Sequence, residues 1–107
     1  HGKLVEEMLE KGYKIMITQF AAEGLNEEWL GKVLDKASFR DIKYLSMKYG
    51  FHVGGDGSAF DTFVLDCPLF KGKVEFDSIK KYKDGEFSGY LVAKGVKIIK
   101  KLIEKSL

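Results

Sequence analysis

The residues best suited to chemistry lie in one stretch, residues 51–70, which reads FHVGGDGSAFDTFVLDCPLF. It opens with a turn rich in glycine that also carries an acid: Gly54, Gly55, Asp56, Gly57 and Ser58. Because glycine adopts backbone conformations that other residues avoid, this composition predicts a tight turn with an exposed backbone. Exposed N–H groups of such a turn can hold an oxyanion. The carboxylates of Asp56 and Asp61 make the same loop acidic, so the stretch predicts a binding loop.

A strand is expected directly after this loop, because FDTFVLD is rich in β-branched and aromatic residues. Its side chains divide between two faces, with Phe60, Thr62 and Val64 on one and Asp61, Phe63 and Leu65 on the other. Pro68 ends the run because it has no N–H for a strand ladder. The predicted arrangement is an acidic loop, Asp56 to Asp61, held against a buried strand. The plainer alternative is a surface loop that leads into a core strand.

The composition is that of a globular domain or part of one, with 107 residues, 45% apolar and 32% charged. A net charge of only +2 does not favour nucleic-acid binding, which needs a concentrated basic face. Cys67 is the single cysteine, so no internal disulfide is expected and a cytoplasmic location is the simpler interpretation. His1 and His52 are the only histidines, and no spacing resembles a zinc site or a nucleophilic triad.

The N-terminal half predicts alternating helices and strands. Residues 3–11 have the apolar spacing of a helix, which Gly12 is suited to end. Lys14–Phe20 is apolar enough for a buried strand. A helix that runs directly into such a strand is typical of an α/β unit with a parallel sheet. The pair needs neighbours, which we expect an upstream part of a longer protein to supply.

Two more helices are predicted before the acidic loop. Residues 21–35 form a loop and a short helix with Asn26 as its N-cap. This helix carries Trp29, for which core packing is the main interpretation and a recognition role the alternative. A longer helix is expected from Ser38 to Tyr49, with Ser38 and Asp41 as a capping box.

The C-terminal part predicts antiparallel β structure. Val74 and Phe76 alternate with charged residues, and Asp84-Gly85 is a strong signal for a hairpin turn. Gly95 permits a bend, and a further strand is expected at residues 96–99. The fold class is therefore α/β to α+β, with helix–strand units followed by a mainly antiparallel β region.

Two stretches of the sequence resemble one family. GGDGSAFDTFVLDCPLF is similar to the pattern G-E-G-G-E-[FY]-E-T-x-V-x-D-x-P-L-F of the C-terminal part of the diphthine–ammonia ligase family. That family is a branch of the N-type ATP pyrophosphatases of the PP-loop superfamily. A second family stretch, A-x-G-L-[DN]-E-x-W-L-G, is matched by Ala22, Gly24, Leu25, Asn26, Glu27, Trp29, Leu30 and Gly31. The resemblance covers roughly residues 3–76.

The resemblance implies an activity, cofactors and partners. Members of this family complete diphthamide synthesis on elongation factor 2, using ATP to adenylate diphthine before ammonia displaces AMP. The S-G-G-x-D-S loop that binds ATP in the family does not occur in these 107 residues. The resemblance therefore implies that residues 1–107 are the substrate-side C-terminal domain of an adenine nucleotide alpha hydrolase-like protein. It places ATP, with Mg as a candidate companion ion, on an N-terminal domain outside this chain. The expected partners are diphthine-bearing elongation factor 2 and ammonium, with a homo-oligomer left open.

The resemblance also implies a set of substrate-binding residues. Diphthine carries a trimethylammonium group, and carboxylates and aromatic faces recognise such a cation. The implied residues are Glu23, Trp29, Gly55, Asp56, Gly57, Ser58, Asp61 and Thr62. Their expected role is to orient the diphthine carboxylate toward the adenylate. Whether Asp56 or Asp61 also deprotonates ammonium is a separate hypothesis, and no catalytic residue is assigned.

The sequence departs from the family pattern at four positions of the acidic loop. Asp56 and Asp61 stand in place of glutamates, Ser58 in place of glycine, and Ala59 in place of a glutamate. The acidic cluster is thus reduced from three carboxylates to two. This leaves open an enzyme with another substrate, such as a PP-loop ATPase that modifies tRNA, or a non-catalytic binding or oligomerisation module. A tRNA enzyme would need a basic groove, which the low net charge does not favour.

Overall fold

A computed structural model of the chain describes residues 2–51 and 59–101. Helices and strands follow one another along the chain, and we number them in that order. They are helix α1 (Gly2–Glu10), strand β1 (Lys14–Ala21), a 3-10 turn (Glu27–Trp29), helix α2 (Lys36–Tyr49), and strands β2 (Phe60–Asp66), β3 (Gly72–Gly85) and β4 (Ser88–Lys100). Helices followed by a sheet confirm the predicted class, a small mixed domain with an antiparallel β region.

The four strands form one sheet in the order β2-β1-β4-β3, and every described pairing is antiparallel. The prediction of a parallel sheet around β1 is therefore wrong. A parallel neighbour requires a crossover that returns to the same end of the sheet. Here the chain that follows β1 comes back through α2 and enters β2 in the opposite direction. A helix followed by a strand does not by itself determine the direction of the next strand.

The second edge of β1 is shared between two partners. At its C-terminal end, Gln19–Ala21 pairs with β4. At its N-terminal end, β1 is hydrogen-bonded to residues 31–34 instead. Leu34 N–H donates to Ile15 O at 2.8 Å, and Gly31 N–H donates to Ile17 O at 2.8 Å. Because this segment occupies the edge of β1, β4 diverges from β1 and continues alongside β3 alone. The domain is accordingly elongated, with extents of 51 × 30 × 21 Å.

Strands β3 and β4 form one long hairpin, where the sequence predicted several shorter strands. The ladder runs from Gly72↔Lys100 to Gly85↔Ser88. The turn consists of Glu86 and Phe87, two residues later than the predicted Asp84-Gly85 turn. The register shifts between Lys83 and Gly85, so the Asp84-Gly85 signal is absorbed by a bulge. Ser88 Oγ donates to Asp84 Oδ1 at 2.7 Å, which stabilises this end of the hairpin.

The core lies against one face of the sheet, which we call the core face. Phe20 is 1% exposed and packs over Gly89 of β4, where an added Cβ would stand 2.8 Å from Phe20 Cε1. Glycine is therefore required at this position to let the ring approach the strand. Helix α2 contributes Phe39 and Ile42 to the same core. The opposite face of the sheet, which we call the outer face, carries the side chains that alternate with these.

Helix α2 begins at Lys36, earlier than the predicted start at Ser38. Its N-cap is Asp35, whose Oδ1 accepts a hydrogen bond from Ser38 N–H at 2.7 Å. Ser38 Oγ in turn accepts from Asp35 N–H at 2.8 Å, so the capping box is present with Ser38 in its third position. The hydrogen bond from Ser38 N–H lowers the pKa of the Asp35 carboxyl. The helix ends at Gly50, whose φ of 78° is left-handed.

We expect Ser38→Ala to lower the free energy of unfolding by about 1 kcal/mol, because it leaves Asp35 N–H without its cap. Urea unfolding followed by circular dichroism measures this change. Ser78→Ala on β3 is the matched control, since Ser78 is exposed and a surface substitution typically changes stability by less than about 0.5 kcal/mol. Equal effects of the two substitutions would contradict a capping role for Ser38.

Candidate functional site

Part of the predicted acidic loop lies outside the described residues. This applies to Gly55, Asp56, Gly57 and Ser58, and to His52 before them. Their proposed roles therefore stay predictions. The description resumes at Ala59, whose carbonyl accepts a hydrogen bond from Ala21 N–H at 2.8 Å. This bond holds the start of β2 against the end of β1.

Asp61 is exposed on β2, which is an edge strand of the sheet. The expectation of a buried strand is wrong beyond its first residue: of the β2 residues, all of which are described, Phe60 is the buried one. Asp61 pairs with Gln19 of β1, next to a register shift between Ile17 and Gln19. Thr18 Oγ1 donates to Asp61 O at 3.3 Å across this shift. The strand edge therefore presents the Asp61 carboxylate to solvent while the backbone of Asp61 is held.

A small hollow of about 70 Å³ lies beside Asp61, where β1 and β2 meet. It is lined by Gln19, Phe20, Ala21, Ala59, Phe60 and Asp61. A larger hollow of about 310 Å³ lies between α1 and α2, away from the sheet residues singled out by the sequence. Opposite charges line that larger hollow, and Lys43 forms an ion pair with Glu6 there. None of the described residues that the sequence predicted for substrate binding lines that larger hollow, so we place the candidate site at the strand edge.

The structure separates the other described candidates from Asp61. Thr62 pairs with Ile17, a core residue, so its side chain lies on the opposite face of β2 from Asp61. Trp29 packs against the core cluster, with Lys32 Nζ 5.6 Å from its ring centroid. Glu23 is exposed in the loop that follows β1. The sequence grouped these residues into one site, whereas the fold places Trp29 on the core side and Asp61 on the outer face.

The strand register brings Asp61 into a row of residues that the sequence did not single out. Across the sheet, Asp61 pairs with Gln19, Gln19 with Tyr90, and Tyr90 with Tyr82. The rings of Tyr82 and Tyr90 are stacked, with centroids 5.2 Å apart and planes 19° apart. A hairpin turn at residues 86–87 would by itself pair Tyr82 with Leu91. The register shift between Lys83 and Gly85 moves the pairing by one residue, so that Tyr82 faces Tyr90. Because the sequence placed the turn at Asp84-Gly85, it did not predict this pairing.

An ion pair lies at the end of the sheet where β2 and β4 finish. Lys101 Nζ lies 2.6 Å from Asp66 Oδ1 and donates to Cys67 O at 2.9 Å, so it joins the ends of β4 and β2. The hydrogen bond from Lys101 lowers the pKa of the Asp66 carboxyl from its ordinary value of 3.8. A carboxyl with a lowered folded-state pKa stabilises the fold fully above its unfolded-state pKa. That contribution is lost as the pH falls through the folded-state pKa.

We therefore expect Asp66→Asn to lower the temperature of unfolding at pH 7, with the difference from the wild type disappearing as the pH falls below about 3.8. Thermal unfolding between pH 7 and pH 2 measures this. Asp77→Asn is the matched control, because Asp77 and Lys97 form an exposed pair and such pairs contribute little. A difference between Asp66→Asn and the wild type that persisted unchanged to pH 2 would contradict the ion-pair explanation.

Within residues 2–51 and 59–101, no group of three or more His, Cys, Asp or Glu side chains could hold a metal ion. None of the helices in those ranges is both long enough and apolar enough to cross a membrane.

The fold and the strand-edge site define a small α+β domain with an exposed carboxylate and an aromatic pair on one face. A family model described as the diphthamide synthase C-terminal domain matches residues 1–99. The chain belongs to this family, which confirms the resemblance. The match extends beyond the predicted residues 3–76 and includes the hairpin that carries Tyr82 and Tyr90.

Curated relatives in animals and yeast are named diphthine–ammonia ligase. The Homo sapiens protein is 47% identical over 76 residues, which cover 70% of this chain and 28% of the relative. The Danio rerio protein is 41% identical over 76 residues, covering 70% and 29%. The Schizosaccharomyces pombe protein is 38% identical over 73 residues, covering 67% and 12%. The chain thus spans less than a third of the length of these relatives.

Proposed function

We propose that the protein carrying this chain is an ATP-dependent diphthine–ammonia ligase and that this domain binds the diphthine-bearing substrate. The observation that carries the proposal is the match of residues 1–99 to the diphthamide synthase C-terminal domain. The names of the relatives support the same reaction. The substrate is then elongation factor 2, and ammonium supplies the amide nitrogen.

The reaction consists of two transfers. The diphthine carboxylate attacks the α-phosphorus of ATP, forming an acyl-adenylate and releasing pyrophosphate. Ammonia then attacks the acyl carbon, an amide bond forms, the acyl carbon–oxygen bond breaks, and AMP leaves with that oxygen. Ammonium loses one proton to become ammonia and the nitrogen loses a second as the amide forms, and both protons pass to a base or to solvent. The residues of this domain act by holding the substrate, since accurate placement of two reacting groups lowers a barrier substantially.

The position of Asp61 supports a substrate-side role for the domain. It is exposed on an edge strand and lines a small hollow. A carboxylate in this position can face a cationic substrate group while the bulk of the substrate lies along the outer face. The ATP-binding motif S-G-G-x-D-S is absent from the 107 residues, so we assign ATP binding to another part of the protein.

The full-length native protein, incubated with ATP, ammonium and diphthine-bearing elongation factor 2, tests the proposal. We expect AMP release that depends on both ammonium and the factor, and mass spectrometry should show conversion of the diphthine carboxylate to an amide. Factor that lacks diphthine is the matched control. AMP release with tRNA in place of the factor, or binding of the factor without any AMP release, would contradict the ligase proposal.

A further inference from the structure

One row of side chains crosses all four strands on the outer face. Asp61 of β2, Gln19 of β1, Tyr90 of β4 and Tyr82 of β3 follow one another through the strand register. Directly paired residues of antiparallel strands place their side chains on the same face. Neighbouring strands are about 4.8 Å apart, so Asp61 and Tyr90 flank Gln19 across a gap of roughly 10 Å.

The aromatic pair presents one ring face toward this gap. The centroids of Tyr82 and Tyr90 are 5.2 Å apart, which is close to the spacing of neighbouring strands, so the stack runs across the strands. The face of Tyr90 that Tyr82 does not cover therefore looks toward Gln19. Each tyrosine is 37% exposed, and Gln19 is exposed as well. The gap between Tyr90 and Asp61 is thus open to a ligand.

A cation already lies over one ring of the stack. Lys80 Nζ is 5.7 Å from the ring centroid of Tyr82, within the distance at which a ring attracts a cation. The ring of Tyr90 offers a negative face of the same kind. Across Gln19 from Tyr90 lies the Asp61 carboxylate, which adds to the attraction for a cation.

We infer that this row binds an alkylated ammonium cation above Gln19, between the ring of Tyr90 and the carboxylate of Asp61. A cation in the middle of a gap of roughly 10 Å lies about 5 Å from each side, within range of both a ring face and a carboxylate. A compact ammonium such as that of lysine is strongly hydrated. An alkylated ammonium loses less hydration, so it is the cation that an aromatic face selects. The attachment of this cation to diphthine rests on the proposed function.

Saturation-transfer NMR with tetramethylammonium and the full-length native protein tests the inference. We expect Tyr90→Leu to raise the dissociation constant about three- to thirtyfold, because it removes the ring face and keeps an apolar side chain. Tyr90→Phe keeps the ring face and should bind as the wild type does. Asp61→Asn should weaken binding, and Tyr44→Leu, a change at an exposed tyrosine of α2, should leave it unchanged. Thermal unfolding of each variant establishes that it is folded.

Two results would overturn the inference: binding to Tyr90→Leu as tight as to the wild type, or a loss in Tyr90→Phe as large as in Tyr90→Leu. The measurement uses neither ATP nor ammonium, so it is separate from the proposed ligase activity. If the protein binds tetramethylammonium at this row but forms no amide, the cation site stands and the ligase proposal fails. If instead the wild-type protein binds no tetramethylammonium and the Tyr90→Leu variant forms the amide as well as the wild type, the cation site is ruled out and the ligase proposal stands.

Discussion

Asp61→Asn in the full-length native protein is expected to lower kcat/KM for diphthine-bearing elongation factor 2 by roughly ten- to a hundredfold. The substitution keeps the size of the side chain and removes its charge. An interaction with a charged group is typically worth about 1.5–3 kcal/mol, and each 1.4 kcal/mol corresponds to about a tenfold change. Steady-state rates of AMP formation, with the concentration of the factor varied, measure the effect.

The separate kinetic constants distinguish two roles for Asp61. If the carboxylate holds the substrate, the change appears mainly in KM for the factor, and KM for ATP stays the same. If it also deprotonates ammonium, the acidic limb of the pH–rate profile changes as well. Asp41→Asn, which alters an exposed carboxylate of α2, is the matched control. An Asp61→Asn protein with unchanged kcat/KM and an unchanged pH–rate profile would remove Asp61 from the site.

The largest expected effect on stability comes from Phe20→Ala, which should lower the free energy of unfolding by about 3–5 kcal/mol. Phe20 is 1% exposed, pairs with both Phe60 of β2 and Gly89 of β4, and belongs to the core cluster. Its removal leaves a cavity at the point where three strands meet. The total stability of a small domain is about 5–15 kcal/mol, so the loss is a large share of it.

Urea unfolding measures this loss, with Phe87→Ala as the matched control. Phe87 is the second turn residue of the long hairpin and is 41% exposed, so its truncation should cost much less. Gly89→Ala offers an independent check, because the added Cβ would stand 2.7 Å from Tyr82 O and 2.8 Å from Phe20 Cε1. Overpacking of this kind typically costs about 1–3 kcal/mol. A Phe20→Ala protein as stable as Phe87→Ala would show that Phe20 does not centre the core.

Local chemistry made several features predictable from the sequence. Asn26 caps the 3-10 turn with its Oδ1 2.9 Å from Glu28 N, as its position before two glutamates predicted. The run FDTFVLD forms β2 with the predicted bounds, and Gly12 ends the first helical segment with a φ of 88°. Caps, strand alternation and left-handed glycines depend on residues a few positions apart. Short-range patterns therefore determine them, and two long motifs were enough to indicate the family.

The partners of the strands, and the faces that their side chains share, depend on pairing between segments that are distant in the sequence. The sequence could not show that β1 shares its edge between residues 31–34 and β4, because that choice depends on which distant segment satisfies the backbone of β1. The same pairing separates Trp29 from Asp61 and aligns Asp61 with Tyr90. By itself the sequence determined the elements, their caps and the family. Only the tertiary structure decided which face each side chain shares, because a strand's alternation is local while its partner and register are not.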